Sequence, residues 1–198
     1  MLQKRNKTVQ RIVDVARQLF AEHGRDNVTM NDIAQAAGRG RRTLYAYFQS
    51  KDDVYRAVIR QETEMLYNAV RSVTERDLDP SSMLSELIST HLGAVVNAVR
   101  RNGSLRSDFF KDIYEVERAR RKTDQLEIEL IRQILEQGIR TGEFRPLAPD
   151  VFSVIIFYAV KGVEVPYIKK YMRSKTEVRG RGKSIINVIF SGIKTHPV

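Results

Sequence analysis

Residues 29–51 read TMNDIAQAAGRGRRTLYAYFQSK, and two short helical segments about a glycine turn can be read from them. Thr29-x-x-Asp32 suits a helix start, because a hydroxyl and a carboxylate three residues apart satisfy the donors that a helix leaves open at its N-terminus. Met30, Ile33, Ala34 and Ala37 follow at helical spacing, and Gly38 ends the segment. Ala-Ala-Gly is a natural exit: small side chains allow a close crossing, and Gly tolerates positive φ. Beyond Arg39-Gly40 a second segment places Leu44 and Phe48 four apart on one side, with Arg41, Arg42, Thr43, Tyr45 and Tyr47 largely on the other. An apolar underside beneath a cationic, aromatic outer face describes a helix-turn-helix whose second helix can enter a DNA major groove.

The flanks are helical too. Val9, Ile12, Val13, Ala16, Leu19 and Phe20 form a stripe that ends at His23-Gly24. Ser50 is an N-cap for a longer helix from Lys51 to about Val73, with Asp52 and Asp53 where the dipole favours acids. Val54, Val58, Met65 and Ala69 lie along one side of it, and Glu75 to Ser82, containing Pro80, reads as a loop. Met83 to Val99 carries the strong stripe Leu84, Leu87, Ile88, His91, Leu92, Val95 and Val99. After a break at Arg100 to Ser104, the spacing predicts a helix over Leu105 to Val116 and, past a very charged join, another over Leu126 to Leu135. Val151 to Val163 is apolar almost all round, which predicts cover on several sides, with Pro166 interrupting it. Lys169 to Lys183 reads as a basic loop, and Ile185, Ile189 and Ile193 define a final helix. With no alternating strand pattern, the fold class is all-α: a three-helix unit in residues 1–50, joined by a long fourth helix to a bundle of about five more within 51–198.

The 198-residue chain carries a formal charge of +10, unevenly spread. Residues 1–60 hold twelve Lys and Arg against six Asp and Glu, so over half of the surplus sits in under a third of the chain. A polyanionic partner for the N-terminal part follows, an acidic membrane surface being the other fit to charge alone. The absence of cysteine excludes disulfides and thiolate metal sites. The first residues are polar and basic without an apolar run behind them, so no signal peptide is expected. Val151 to Val160 falls short of the roughly 20 apolar residues that a membrane span needs. A cytoplasmic protein with no membrane partner is the expectation.

The block from Thr29 to Lys51, preceded by Leu19-Phe20-Ala21-Glu22-His23-Gly24, resembles the tetracycline-repressor (TetR) family of bacterial regulators. Ile33-Ala34, Ala37-Gly38, Thr43-Leu44-Tyr45, Tyr47-Phe48 and Lys51 carry the resemblance, which covers about the first 60 residues. Three positions depart from the family's usual run. Arg39 stands where an apolar residue is common, Gly40 where a capping Ser is common, and Arg42 where a small residue or Pro is frequent. The resemblance implies a ligand-responsive repressor that binds a pseudo-palindromic double-stranded DNA operator as a homodimer, with a small-molecule effector held in the C-terminal bundle. It also implies a four-helix dimer interface from the last two helices, to which the apolar Phe152, Ile155, Ile156, Ile186 and Ile189 are assigned.

Thr29, Arg39, Gly40, Arg41, Arg42, Thr43, Tyr45, Tyr47 and Lys51 are the candidate DNA contacts. Arg binds guanine bidentately or else phosphate, and Arg41 and Arg42 are open to either role. Thr29 alternatively only caps its helix, Lys51 is alternatively an ordinary surface lysine, and one tyrosine, most readily Tyr45, alternatively packs inside the three-helix unit. Tyr67, His91, Phe110, Tyr114, Tyr158, Glu164 and Tyr167 are candidates to line an effector cavity, Phe157 beside them, since polar-tipped aromatics suit a mostly apolar pocket. Each is equally at home as a core residue, His91 included. The cluster Arg118 to Lys122 reads as a solvated face. Arg179 to Ser184 ends like a phosphate loop, but Glu177 stands where a Gly is needed and no strand precedes it, so no nucleotide site is assigned. The three histidines are too dispersed for a helical metal pair, and no cofactor is expected. Two rival classes remain: a non-specific architectural DNA-binding protein, and an enzyme, for which no convergent nucleophile or acid–base set is visible.

Overall fold

The computed structural model describes residues 2–102, 113–168 and 175–195. Among these residues the elements are α1 (Leu2–His23), α2 (Met30–Ala36), α3 (Arg41–Tyr45), α4 (Lys51–Arg71), α5 (Pro80–Arg101), α6 (Ile113–Arg140), α7 (Pro149–Ile168) and α8 (Lys175–Ile193). The described residues contain no strand, only an antiparallel bridge between Phe144 and Lys194. The chain forms two compact units, Met1–Thr63 with Ala98–Arg121, and Glu64–Asn97 with Lys122–Val198. The first unit thus extends beyond the boundary expected at residue 50. The reason is the start of α4, which buries Val54, Tyr55, Val58 and Ile59 in that unit's core.

In the first unit the helical period of α1 puts Ile12, Val13, Ala16 and Phe20 on one side, against Ile33 and Ala34 of α2, Leu44 of α3 and Phe48. Burying an aliphatic or aromatic side chain of this size is worth about 1.5–3 kcal/mol, so this shared cluster holds the short helices in place. At its edge Glu62 of α4 accepts from Arg17 at 3.4 Å and from Arg101 at 2.7 Å.

The second unit gathers Met83, Leu84, Leu87 and Ile88 of α5, Ile131, Ile134 and Leu135 of α6, and Ile156, Phe157 and Val160 of α7. Phe144, between α6 and α7, lies over Gly138 so closely that a Cβ there would overlap its ring. Phe144 also stacks with Phe190 of α8, ring centroids 6.5 Å apart.

Several elements differ from the sequence expectation. Pro80 starts α5 rather than lying in a loop, with the Asp79 carboxylate accepting from the Ser82 N–H at 2.9 Å; Pro suits a first helical position, whose N–H needs no partner. The charged join at 117–125 is helical, and α6 runs unbroken through it. Its core-facing positions there hold Arg120 and Glu127, both buried, so the stripe continues in polar residues that an apolar period does not register. Arg120 accordingly is not part of a solvated face. α7 continues past Pro166 to Ile168, because Pro in a last turn removes only one hydrogen bond. The basic stretch at 175–183 is the first half of α8, not a loop. Gly182 there meets Leu92 so closely that a Cβ would come within 2.7 Å of it. On α4 Met65 is exposed rather than aligned with the buried Val54 and Val58. Nor is α7 covered all round: Val151, Val154, Ile155 and Tyr158 are 40–60% exposed. No described helix is long and apolar enough to cross a membrane.

His91 of α5 is fully buried and joins three helices. Its Nδ1 lies 2.6 Å from a carboxylate oxygen of Glu127 on α6, and its Nε2 lies 2.5 Å from one of Glu164 on α7. A carboxylate facing each ring nitrogen favours the doubly protonated imidazolium. Burial by itself lowers the pKa of this group, but the negative charges of Glu127 and Glu164 outweigh it and raise the value from 6.5 to about 10. Beside this cluster Lys161 of α7 donates to Asp124 of α6 at 2.8 Å. A folded-state pKa above the unfolded one means stability that is complete below pH 6.5 and lost as pH rises to about 10. Denaturant titrations from pH 6 to pH 10 should therefore show wild-type stability falling by up to about 1.4 kcal/mol per pH unit, the slope of one proton. The triple variant His91→Gln, Glu127→Gln, Glu164→Gln should lack that component.

Candidate nucleic-acid interface

The candidate surface is built from its helix ends. Thr29 and Asp32 form a reciprocal cap on α2: Thr29 N–H donates to Asp32 Oδ2 at 2.8 Å, and Asp32 N–H donates to Thr29 Oγ1 at 3.2 Å. The Thr29 hydroxyl also donates to Asp32 at 2.7 Å. The bonds from Thr29 hold the Asp32 carboxyl below the usual carboxylate range. Ser50 and Asp53 repeat the arrangement at the start of α4, at 2.9–3.1 Å.

Between these caps the chain turns at Gly38, whose φ is +64°. Arg39 N–H reaches Ala34 O at 2.9 Å and Gly38 N–H reaches Gln35 O at 3.0 Å, the paired bonds of a Schellman ending. Gly40 is the N-cap of α3, extended and without a side-chain cap bond. α3 itself has five residues, Arg41–Tyr45, and buries only Leu44. Its underside, Leu44 and Phe48, belongs to the first unit's core.

What remains outside is Arg39, Gly40, Arg41, Arg42, Thr43 and Tyr45, all exposed. No acidic residue lies between Gly38 and Gln49. The structure thus groups most of the residues singled out from sequence on one cationic surface. Of the two tyrosines expected outside, the one that packs against the core is Tyr47, not Tyr45 as the alternative had it. Tyr45 is 40% exposed, whereas Tyr47 is half-buried and packs against the core. Helical spacing explains this: Tyr47 sits three residues past the buried Leu44. Lys51 is committed inward as well, donating to the carbonyls of Arg25 at 2.7 Å and Asp26 at 3.4 Å. Arg25, which sequence patterning does not single out, pairs with Asp52 at 2.7 Å and lies 4.3 Å from the Tyr55 ring centroid. A lone basic residue after a Gly turn carries no signal of that role.

Among the described effector candidates His91 and Glu164 meet, and their third partner, Glu127, is detectable from sequence only as a charged residue four before the buried Ile131. Phe157 closes over His91 edge-on at 6.4 Å. Tyr158 is 60% exposed on the outer side of α7 and so does not line an interior cavity. Tyr67 is half-buried. Phe110 lies outside the described residues, as do the side chains of Tyr114 and Tyr167. The second unit does hold an open groove of about 660 Å³, lined by Glu86, Thr90 and Asn97 of α5 and by Thr176, Gly182 and Lys183 of α8. None of the candidates whose side chains are described borders it.

Of the dimer candidates, Ile155 is 55% exposed, and Phe152, Ile186 and Ile189 are half-buried. Ile156 is 2% exposed and faces its own core, one helical position round from Ile155, so it is not available to a partner.

Residues 12–58 match the family described as "Bacterial regulatory proteins, tetR family". The chain is similar to the HTH-type transcriptional repressor KstR2 of Rhodococcus jostii, 31% identical over 136 residues covering 68% of this chain and 66% of that one. It is also similar to the HTH-type transcriptional regulator YvaF of Bacillus subtilis, 28% identical across 83% and 85% of the two chains. The match to an HTH-type regulator of Mycobacterium tuberculosis, at 35% identity, spans 42% of that protein. The alignments to the Rhodococcus and Mycobacterium relatives therefore cover less than two thirds of their lengths. Among solved structures, a transcriptional regulator from Cytophaga hutchinsonii shares the fold with a TM-score of 0.76, 24% identity, and 93% and 97% of the two chains covered.

The turn that aims α3 rests on Gly38. No atom lies within 4 Å of where its Cβ would stand, so the obstacle to a side chain is backbone conformation alone. Gly38→Ala should cost about 1–2 kcal/mol in thermal unfolding. Gly40→Ser, at an extended position with equally open space, should change stability by only a few tenths.

Proposed function

We propose that this chain, whose residues 12–58 match the tetR family of bacterial regulatory proteins, is a transcriptional repressor which binds a pseudo-palindromic operator as a homodimer and is released by a small effector. The observation that carries this is the outward row Arg39, Arg41, Arg42, Thr43 and Tyr45 on a helix-turn-helix with no acidic residue among them. Cationic side chains on a short projecting helix match the negative phosphates and the acceptor-rich guanine edge of a major groove. Repression follows the sign given in the name of the Rhodococcus relative.

One such helix offers few base contacts, and two related by a two-fold axis roughly double the binding free energy. The outer side of α7 supplies a reason to pair. Val151, Val154, Ile155 and Tyr158 recur at helical spacing and are 40–60% exposed, with Val188 of α8 73% exposed. A second copy of the chain would cover such a stripe isologously. An effector would act in the second unit, where Glu86, Thr90, Asn97, Thr176 and Lys183 of the α5–α8 groove supply polar anchors. Release needs only that the effector favour one of two states, typically by about 1–3 kcal/mol.

Against an excess of random duplex at physiological salt, the protein should retain selected fragments of its source genome. Loss of all retained fragments would favour non-specific architectural binding instead. In light scattering the wild type should have twice the 22.8 kDa mass of one chain. Ile155→Asp should reduce it to one chain and weaken binding to a full site far more than to a half-site.

A further inference from the structure

The three exposed arginines of the projecting surface are not equivalent. Arg39 is turned back, its Nη1 donating to the Gly38 carbonyl at 3.2 Å. Arg41 lies over the Tyr45 ring, 5.5 Å from its centroid. The Arg42 side chain makes no hydrogen bond, ion pair or ring contact with any described residue.

Position around α3 separates them in the same way. Leu44 is fully buried and marks the side facing the core. On a helix of 3.6 residues per turn, Arg42 stands about 160° from Leu44, near the outermost point of the helix, whereas Arg41 stands about 60° from it and Tyr45 about 100°, both on one flank. Arg41 and Tyr45 are thus neighbours at i and i+4, which brings the guanidinium over the ring. A helix lying in a major groove directs its outermost residue at the base edges and its flanks at the phosphate walls. An arginine at the outermost point, with no partner of its own to give up, can present two of its guanidinium N–H donors to the O6 and N7 of guanine. An arginine resting over a tyrosine ring is pre-placed for the wall but has less freedom to reach the floor.

Building on the operator-binding function above, we propose that Arg42 reads a guanine in each half-site while Arg41, braced on Tyr45, clamps a phosphate without reading sequence. Specificity then comes from the one outermost side chain of each half-site reader, and the flanking arginine contributes affinity alone.

The test selects a fully randomised duplex library on the full-length wild type, Arg42→Ala, Arg42→Lys and Arg41→Ala, with circular dichroism melts confirming that each exposed-site variant folds. The wild type should select a two-fold symmetric pattern containing a guanine in each half. Arg42→Ala and Arg42→Lys should both lose preference at that one symmetric pair of positions. The loss in discrimination should be about 5- to 140-fold, the span of one good bidentate base contact. Arg42→Lys should keep the wild-type salt dependence, because it keeps the charge but not the fork. Arg41→Ala should keep the whole pattern, with weaker binding and a salt slope lowered by about one per subunit. An undiminished guanine preference in Arg42→Ala, or its loss in Arg41→Ala, would overturn the assignment. A wild type that binds the library but selects no pattern would instead overturn the regulator reading itself, and this inference with it.

Discussion

α3 has five residues, and a helix of that length has no stability of its own in water, because the cost of its first turn exceeds what a few backbone hydrogen bonds return. Its existence rests on two side chains, Leu44 and Phe48, inserted among Phe20, Ile33 and Val54. That insertion also fixes its rotation. Once Leu44 points inward, Arg42 must point outward, Arg41 and Tyr45 must share a flank, and Tyr47 must turn back toward the core. The character of the projecting surface is a consequence of which residue is buried beneath it. The paired Thr29–Asp32 and Ser50–Asp53 caps hold the elements on either side, and the Gly38 turn sets the direction in which α3 leaves α2.

The two units place their acidic side chains differently. In the first, acidic side chains are consumed at its edges: Asp32 and Asp53 in caps, Asp52 with Arg25, Glu62 with Arg17 and Arg101. The arginines of α3 are left without acidic neighbours. In the second, charge is taken inside, with His91 between Glu127 and Glu164 at three helices' meeting point. Such a cluster gains little net stability over an apolar core of the same volume, since desolvation offsets most of the attraction. What it adds is directional: an imidazolium with one donor for each carboxylate accepts one arrangement of α5, α6 and α7. The outer side of α7, by contrast, leaves apolar groups in water, at a cost that a second chain would remove.

Legibility followed how local each cause was. The capping boxes, the Gly38 turn and the stripes of α1, α3 and α5 depend on residues within one or two turns of each other, and spacing alone reveals them. Where a core position holds a polar residue, as at Arg120 and Glu127, the apolar period vanishes from the sequence although the helix does not. The same blindness made the basic start of α8 look like a loop, since the close seat of Gly182 on Leu92 has no signature in a string of residues. Lys51 looked available because its acceptors, the carbonyls of Arg25 and Asp26, are more than twenty residues away.

By itself the sequence determined the all-α class, the helix-turn-helix with its two short segments, the cationic character of that surface, and the strongest core positions. All of these are set by short-range periodicity, backbone preference and charge count. Only the tertiary structure decided which tyrosine is outside, which arginine stands unpartnered at the outermost point, what His91 is bonded to, and which side of α7 is bare. Those depend on atoms distant in sequence competing for the same space and the same hydrogen bonds, and that competition is settled only when the chain has packed.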